Sequence, residues 1–289
     1  MEKLGGEFAI QTHLKSRYLT AVGGGGRTTD VIHTDAQWPP RAWEKFKFWV
    51  DSVTHQHYAF QTVTGNFITA VDAGGRTTDT IHSDATAIAG WEMFKLLPQS
   101  VLPNWAIQTL RGFFLTAVGG GGHDSGDTIH TDALNALEWE RFNLFRCRDF
   151  GTGSTYGFYS RGPVYNAWLM ATDGGGVSGD NALTTAGFVP FWMYWTLLKQ
   201  DGGAYAFQTA SGGILTANGG GLPGEGFRTD TDPNQIGNWE KFTLVDHGDF
   251  TAYIKTYAGT YLTATADGRA TTVTNVNEAT RWVCWVFGL

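Results

Sequence analysis

The sequence predicts an all-β protein of two tandem β-trefoil domains, residues 1–150 and 151–289, built from six four-stranded repeats. Three observations carry that expectation. The stretch AVGGGGRTTDVIHTDA (21–36) recurs as FITAVDAGGRTTDTIHSDA from Phe67 and FLTAVGGGGHDSGDTIHTDA from Phe114, with weaker copies from Trp168, Ile214 and Tyr261. Helical periodicity is nearly absent, while apolar residues alternate along short segments. Composition agrees, since 39 Gly among 289 residues supply turns, and 14% aromatic against 16% charged residues builds an aromatic-rich core rather than a disordered chain.

Each repeat opens on an extended segment whose anchor is Thr12, Thr62, Thr109, Ser160, Thr209 or Thr256. Successive anchors lie about 47 to 51 residues apart, the range of propeller blades and trefoil units rather than of helical solenoids. In the first repeat four strands are expected, at residues 8–12, 18–22, 31–35 and 43–48. Phe8 and Ile10 flank Ala9, and Phe46 and Phe48 flank Lys47, so one face of each strand turns inward. Each repeat closes on a Trp followed three residues later by Phe or Trp: Trp43/Phe46, Trp91/Phe94, Trp139/Phe142, Trp192/Trp195, Trp239/Phe242 and Trp282/Trp285. These aromatics, with Leu19, Ile68, Leu115, Leu169, Leu215 and Leu262 of the second strands, are expected in the core. Six units close either as one propeller or as two trefoils. The polar motif is shared closely by repeats one to three and diverges in four to six, and a polar, glycine-rich segment at 146–157 marks a boundary, so two trefoils are preferred.

The glycine run is not a phosphate cradle. Such loops lead into a helix whose first N–H groups face the anion, whereas residues 28–35 are Thr-, Val- and Ile-rich and read as a returning strand. Gly26 is also followed by Arg27-Thr28 rather than Lys-Ser or Lys-Thr.

The successive YLTA, glycine turn, IHTDA and WEKF segments resemble the fascin-like β-trefoil family, over nearly the whole chain and most strongly in repeats one, two, three and five. The resemblance implies β-trefoil domains and, for the eukaryotic members, actin bundling; trefoils at large are frequently sugar-binding modules. Fold does not fix function.

MEKLGGEF shows no apolar leader, so a cytoplasmic protein, or one released without a classical signal peptide, is expected. The longest apolar run, residues 188–198 with Pro190 inside it, is too short for a membrane span. Cys147 and Cys284 occupy non-equivalent repeat positions and read as free thiols. A net charge of −7 argues against nucleic-acid binding and against steering toward the acidic surface of actin.

The polar motif Asp30, His33, Asp35 recurs as Asp79, His82, Asp84 and as Asp127, His130, Asp132, and repeat five keeps Arg228 and Asp230. On a strand, His33 and Asp35 share a face that Asp30 does not, and a guanidinium cannot ligate a metal, so neither metal nor other cofactor is expected. His55 and His57 read as a solvated pair, and Trp38-Pro39-Pro40 as an exposed brace or stacking platform. Two readings of the motif stand. In one, His or Arg pairs with a carboxylate across the third and fourth strands, because the Glu after the closing Trp (Glu44, Glu92, Glu140, Glu240) is absent from the repeats that lack the motif, where Met193 and Val283 stand instead. In the other, the motif binds ligand: carboxylates accept from vicinal hydroxyls, Arg27, Arg76 and the glycine backbone donate, and aromatics stack on a sugar face. Three such sites give avidity. The carboxylates are repeated rather than unique, and Ser160, Ser178 and Ser211 lack a nucleophile elbow, so no catalytic set emerges. The expected function is a non-enzymatic, multivalent, lectin-like protein whose partner is a glycan or glycoprotein, with no membrane insertion. A fascin-like actin-bundling scaffold and a toxin-like host-interaction module are the alternatives.

Overall fold

The computed structural model of the protein describes residues 1–99, 104–147, 149–161, 166–187 and 189–289. Phe8, Ile10, Phe46 and Phe48 are at most 2% exposed, and Lys47–Val50 alternates as expected, whereas Ala9 is 0% exposed and the first strand is buried on both faces. The strands of this repeat are Glu7–Thr12, Tyr18–Ala21, Ile32–Ala36 and Lys47–Val50. Two differ from expectation. Residues 27–31 do not extend the third strand, because Asp30 takes a positive φ of 50° and turns the chain there. The segment at Trp43 is a short 3₁₀ turn, Ala42–Glu44, that precedes the fourth strand.

Pairing between repeats defines the architecture. Lys47–Val50 pairs with Tyr58–Gln61, Phe94–Pro98 pairs with Asn104–Thr109, and Arg141–Cys147 returns to Glu7–Thr12. The ring therefore closes after three repeats, which excludes a six-bladed propeller. Repeats four to six close in the same way, with Trp195–Lys199 on Tyr205–Thr209, Thr243–Asp246 on Thr251–Lys255, and Arg281–Gly288 back on Thr155–Arg161. In each case first and fourth strands build a six-stranded barrel, and the second and third strands form hairpins, as in Tyr18–Ala21 with Ile32–Ala36. The chain is thus two β-trefoils, and its compact units are Met1–Arg146 and Cys147–Leu289.

One register recurs throughout. The residue four before each anchor pairs with the closing core aromatic: Phe8 with Phe46, Tyr58 with Phe94, Trp105 with Phe142, Tyr156 with Trp195, Tyr205 with Phe242, and Ala252 with Trp282. Trp282, not Trp285, is therefore the sixth repeat's counterpart of Phe46, and Thr280 rather than Val283 stands where Glu44 does. Trp195 and Trp282 are 0% exposed, and each donates its indole N–H to a second-strand carbonyl, Leu169 O and Leu262 O. Trp285 packs instead on Trp168, ring centroids 5.4 Å apart.

The glycine turns are the joints between repeats. Gly25 has φ 109°, and a Cβ there would lie 2.3 Å from Thr62 Oγ1, the anchor of the next repeat. Its neighbour Gly26 donates its N–H to Ser83 O at 2.7 Å; Gly75 does the same to Thr131 O at 2.6 Å, and Gly122 to Thr34 O at 2.7 Å. The run is glycine-rich because two backbones and an anchor Thr meet there. These N–H groups serve the fold rather than a ligand. Cys284 is buried, whereas the side chain of Cys147 lies outside the described residues.

Candidate functional site

The polar motif divides into two groups with different duties. Because Asp30 sits in the turn before the third strand, its carboxylate folds back onto the motif's histidine: His33 Nε2 donates to Asp30 Oδ1 at 2.7 Å, and Arg27 reaches Asp30 Oδ2 at 3.4 Å. The second repeat copies this, with His82 Nε2 on Asp79 Oδ1 at 2.7 Å and Arg76 on Asp79 Oδ2 at 3.2 Å. The hydrogen bond from the histidine, aided by its charge and the arginine's, holds each of these two carboxyls below the usual carboxylate range. The expectation that Asp30 faces away from His33 is corrected by the positive φ. Asp30, Asp79 and Asp127 then line one depression of about 300 Å³ together with Thr28, Thr29 and Gly126, and Asp127 Oδ1 accepts from Asp79 N at 3.1 Å.

Glu44 is not the partner of His33, and this corrects the first reading of the motif. Its Oε1 accepts from Thr20 Oγ1 at 2.8 Å and its Oε2 from Arg41 N at 2.7 Å, at 7% exposure. Thr69 with Glu92, Thr116 with Glu140 and Thr216 with Glu240 repeat the bond at 2.8, 2.8 and 2.9 Å. The partner of the Glu is thus this Thr and not the motif's histidine. In repeat four the pair becomes Met170 and Met193, packed in an apolar cluster with Trp168 and Phe287. In repeat six it becomes Thr263 and Thr280, bonded at 2.8 Å.

The last acid of each motif has no such duty. Asp35, Asp84 and Asp132 are exposed, and among the described residues their carboxylates make no hydrogen bond or ion pair within the chain. Asp35 lines a recess of about 520 Å³ with Gln37, Trp38, Pro39, Arg41 and the buried Glu44. Trp38 is half-buried rather than exposed, its ring 6.2 Å from Tyr18, and Pro40 is buried. In the second unit Asp230 is engaged, 3.5 Å from Arg228 Nε and accepting from Gly179 N at 3.3 Å. His130 and Asp132 stand in register with their counterparts, since Thr116 pairs with His130 as Thr20 pairs with His33.

Sequence reasoning placed the first closing tryptophans in the core, and the structure does not. Trp43, Trp91, Trp139 and Trp239 are 48%, 47%, 46% and 46% exposed, because a 3₁₀ turn in the first three repeats, and a plain turn in the fifth, carries them out of the strand's alternation and over the glycine turn of their own repeat. A Trp retained at a half-exposed position in four repeats is a signal the sequence did contain. Among the described residues no group of three or more His, Cys, Asp or Glu side chains is arranged to hold a metal, and no helix is long and apolar enough to cross a membrane.

No family model and no curated protein sequence matches the chain. Among solved structures, it is similar to a mosquitocidal holotoxin at 12% identity and TM-score 0.43, covering 97% of this chain and 34% of that one, so it spans about a third of the toxin's length. It is similar to the designed three-fold symmetric protein ThreeFoil at 8% identity and TM-score 0.42, over 48% of this chain and 98% of that one. The Rhizoctonia solani agglutinin is similar at 13% identity and TM-score 0.41, over 50% and 98% of the two chains. At these identities the likeness concerns fold alone.

Proposed function

We propose that the protein is a non-enzymatic, multivalent carbohydrate-binding protein acting through the first trefoil. One observation carries the reading: Asp35, Asp84 and Asp132 hold free, exposed carboxylates at equivalent positions, while the motif acids Asp30 and Asp79 and the buried glutamates are already bonded within the chain. A free carboxylate accepts two hydrogen bonds from vicinal hydroxyls. The first repeat adds the Trp38 ring and the Gln37 amide beside Asp35 in one recess. Weak sites in triplicate reach useful strength on a multivalent glycan. The second trefoil lacks the free acid, since Asp230 is paired and repeats four and six have no counterpart.

A glycan array tests this, with the whole chain and the Asp35→Asn/Asp84→Asn/Asp132→Asn variant side by side. The expected result is binding by the parent, strong loss by the variant, and equal melting temperatures. Absence of glycan binding combined with pelleting on actin filaments would replace the reading with a cytoskeletal one.

A further inference from the structure

The joints between repeats of the first unit carry a second recurring feature, separate from the carboxylate recess. In each repeat the 3₁₀ turn packs on the glycine turn: Ala42–Glu44 on Val22–Gly24, Gly90–Glu92 on Val71–Ala73, and Glu138–Glu140 on Val118–Gly120. This packing presents a half-exposed Trp at every joint. The following repeat sets an exposed aliphatic side chain there: Val63 at the first joint, Leu110 at the second and Leu14 at the third, where the barrel closes. Both partners meet over the glycine, since a Cβ on Gly24 would lie 2.9 Å from Val63 Cγ1 and 3.5 Å from Trp43 Cδ1. Likewise a Cβ on Gly120 would lie 2.7 Å from Leu14 Cδ2, and one on Gly90, beside Trp91, 3.9 Å from Leu110 Cδ1.

The third component is positive charge, which is scarce on a chain of net charge −7. Arg27 Cδ lies 3.8 Å from the Cβ position of Gly23 at the first joint. At the second, Arg111 donates Nη1 to Asp72 O at 3.2 Å. At the third, His123 Nε2 and Lys15 Nζ lie 3.0 and 4.0 Å from the Cβ position of Gly119. Among the described residues, neither Lys15 nor Arg111 forms an ion pair.

From this convergence we propose that the three joints bind anionic saccharide residues, which rests on the carbohydrate reading above and names its ligand class. The apolar C–H face of a pyranose lies on the Trp and its aliphatic neighbour, and a carboxylate or sulfate on the ring takes a charge-assisted hydrogen bond from Arg27, Arg111 or Lys15. A flat anionic membrane would also engage tryptophans and cations, so a vesicle arm is part of the test.

The test uses the intact protein on matched neutral, carboxylated and sulfated oligosaccharides, with vesicles containing phosphatidylserine as a parallel arm. Anionic members should bind at least tenfold tighter than their neutral counterparts, and the advantage should shrink as salt rises. Carboxylated and sulfated arms separate the two sources of the anion. Lys15→Gln/Arg27→Gln/Arg111→Gln should reduce anionic binding to the neutral level, and Trp43→Ala/Trp91→Ala/Trp139→Ala should weaken both classes. Should the tryptophan variant fail to fold, quenching of indole fluorescence in the parent by the bound saccharide gives the same readout. Equal affinity for neutral and anionic members overturns this inference and leaves the carbohydrate reading standing. Binding to vesicles without saccharide binding overturns both.

Discussion

Replacing Gly25 by Ala asks whether the glycine turns are structural joints. The change forces an L side chain to φ 109° and places its Cβ 2.3 Å from Thr62 Oγ1, 2.9 Å from Thr62 Cβ and 3.0 Å from Thr62 Cγ2. Backbone strain at φ 109°, ψ −172°, a region essentially confined to glycine, costs about 1–3 kcal/mol and overpacking about 1–3 kcal/mol, so Gly25→Ala should destabilise the first unit by about 2–6 kcal/mol. For a unit of this size that lowers the melting temperature by about 8–24 °C. Gly126→Ala isolates the first component, because its φ is 77° and nothing lies within 4 Å of the added Cβ. Adding Thr62→Ala to Gly25→Ala removes the two contacts at 2.3 and 3.0 Å, so the double variant should be less destabilised than the sum of its parts by about 1 kcal/mol or more. Chemical denaturation read by tryptophan fluorescence measures all four proteins. Equal losses for Gly25→Ala and Gly126→Ala, with full additivity to Thr62→Ala, would refute the joint.

Three further outcomes are expected. Glu44→Ala strands the buried Thr20 hydroxyl and the Arg41 N–H and should cost about 2–4 kcal/mol, non-additively with Thr20→Ala and additively with His33→Ala, by double-mutant cycles. The lowered folded-state pKa of Asp30 and Asp79 means that their stabilisation is full above the unfolded carboxylate value and is lost as pH falls through the folded value; acid titration of Asp30→Asn/Asp79→Asn should show a shallower decline below about pH 4 than the parent. Trp282→Ala should cost about 3–5 kcal/mol, as expected for a 0% exposed aromatic, and more than Trp285→Ala; the reverse order in thermal melts would restore the Trp282/Trp285 register.

The fold was legible because a repeat states its own boundaries: anchors, second-strand Leu and closing aromatics recur in step, and alternation fixes their faces. What failed was local. Repeat six contains a second Trp three residues after Trp282, so spacing alone selects the wrong one, and only the pairing of Ala252 with Trp282 corrects it. The motif's geometry was hidden by one dihedral, since a residue at φ 50° turns Asp30 from the far face onto His33. The partner of Glu44 was nonetheless visible in the sequence. Thr20, Thr69, Thr116 and Thr216 accompany Glu44, Glu92, Glu140 and Glu240, and in repeat four both positions become Met together. Repeat six keeps the Thr, as Thr263, without the Glu, so the signal lies in the Thr–Glu repeats and in the paired change to Met of repeat four. Exposure of Trp43, Trp91 and Trp139 followed from a 3₁₀ turn too short for any periodic signal to report.

Calorimetric titration of the intact chain with a glycan selected on the array tests the central claim directly. The three free carboxylates predict three sites per chain besides any at the tryptophan joints, with the tightest at Asp35 beside Trp38, and loss of those three in Asp35→Asn/Asp84→Asn/Asp132→Asn at an unchanged melting temperature. Undiminished affinity and stoichiometry in that variant would contradict it.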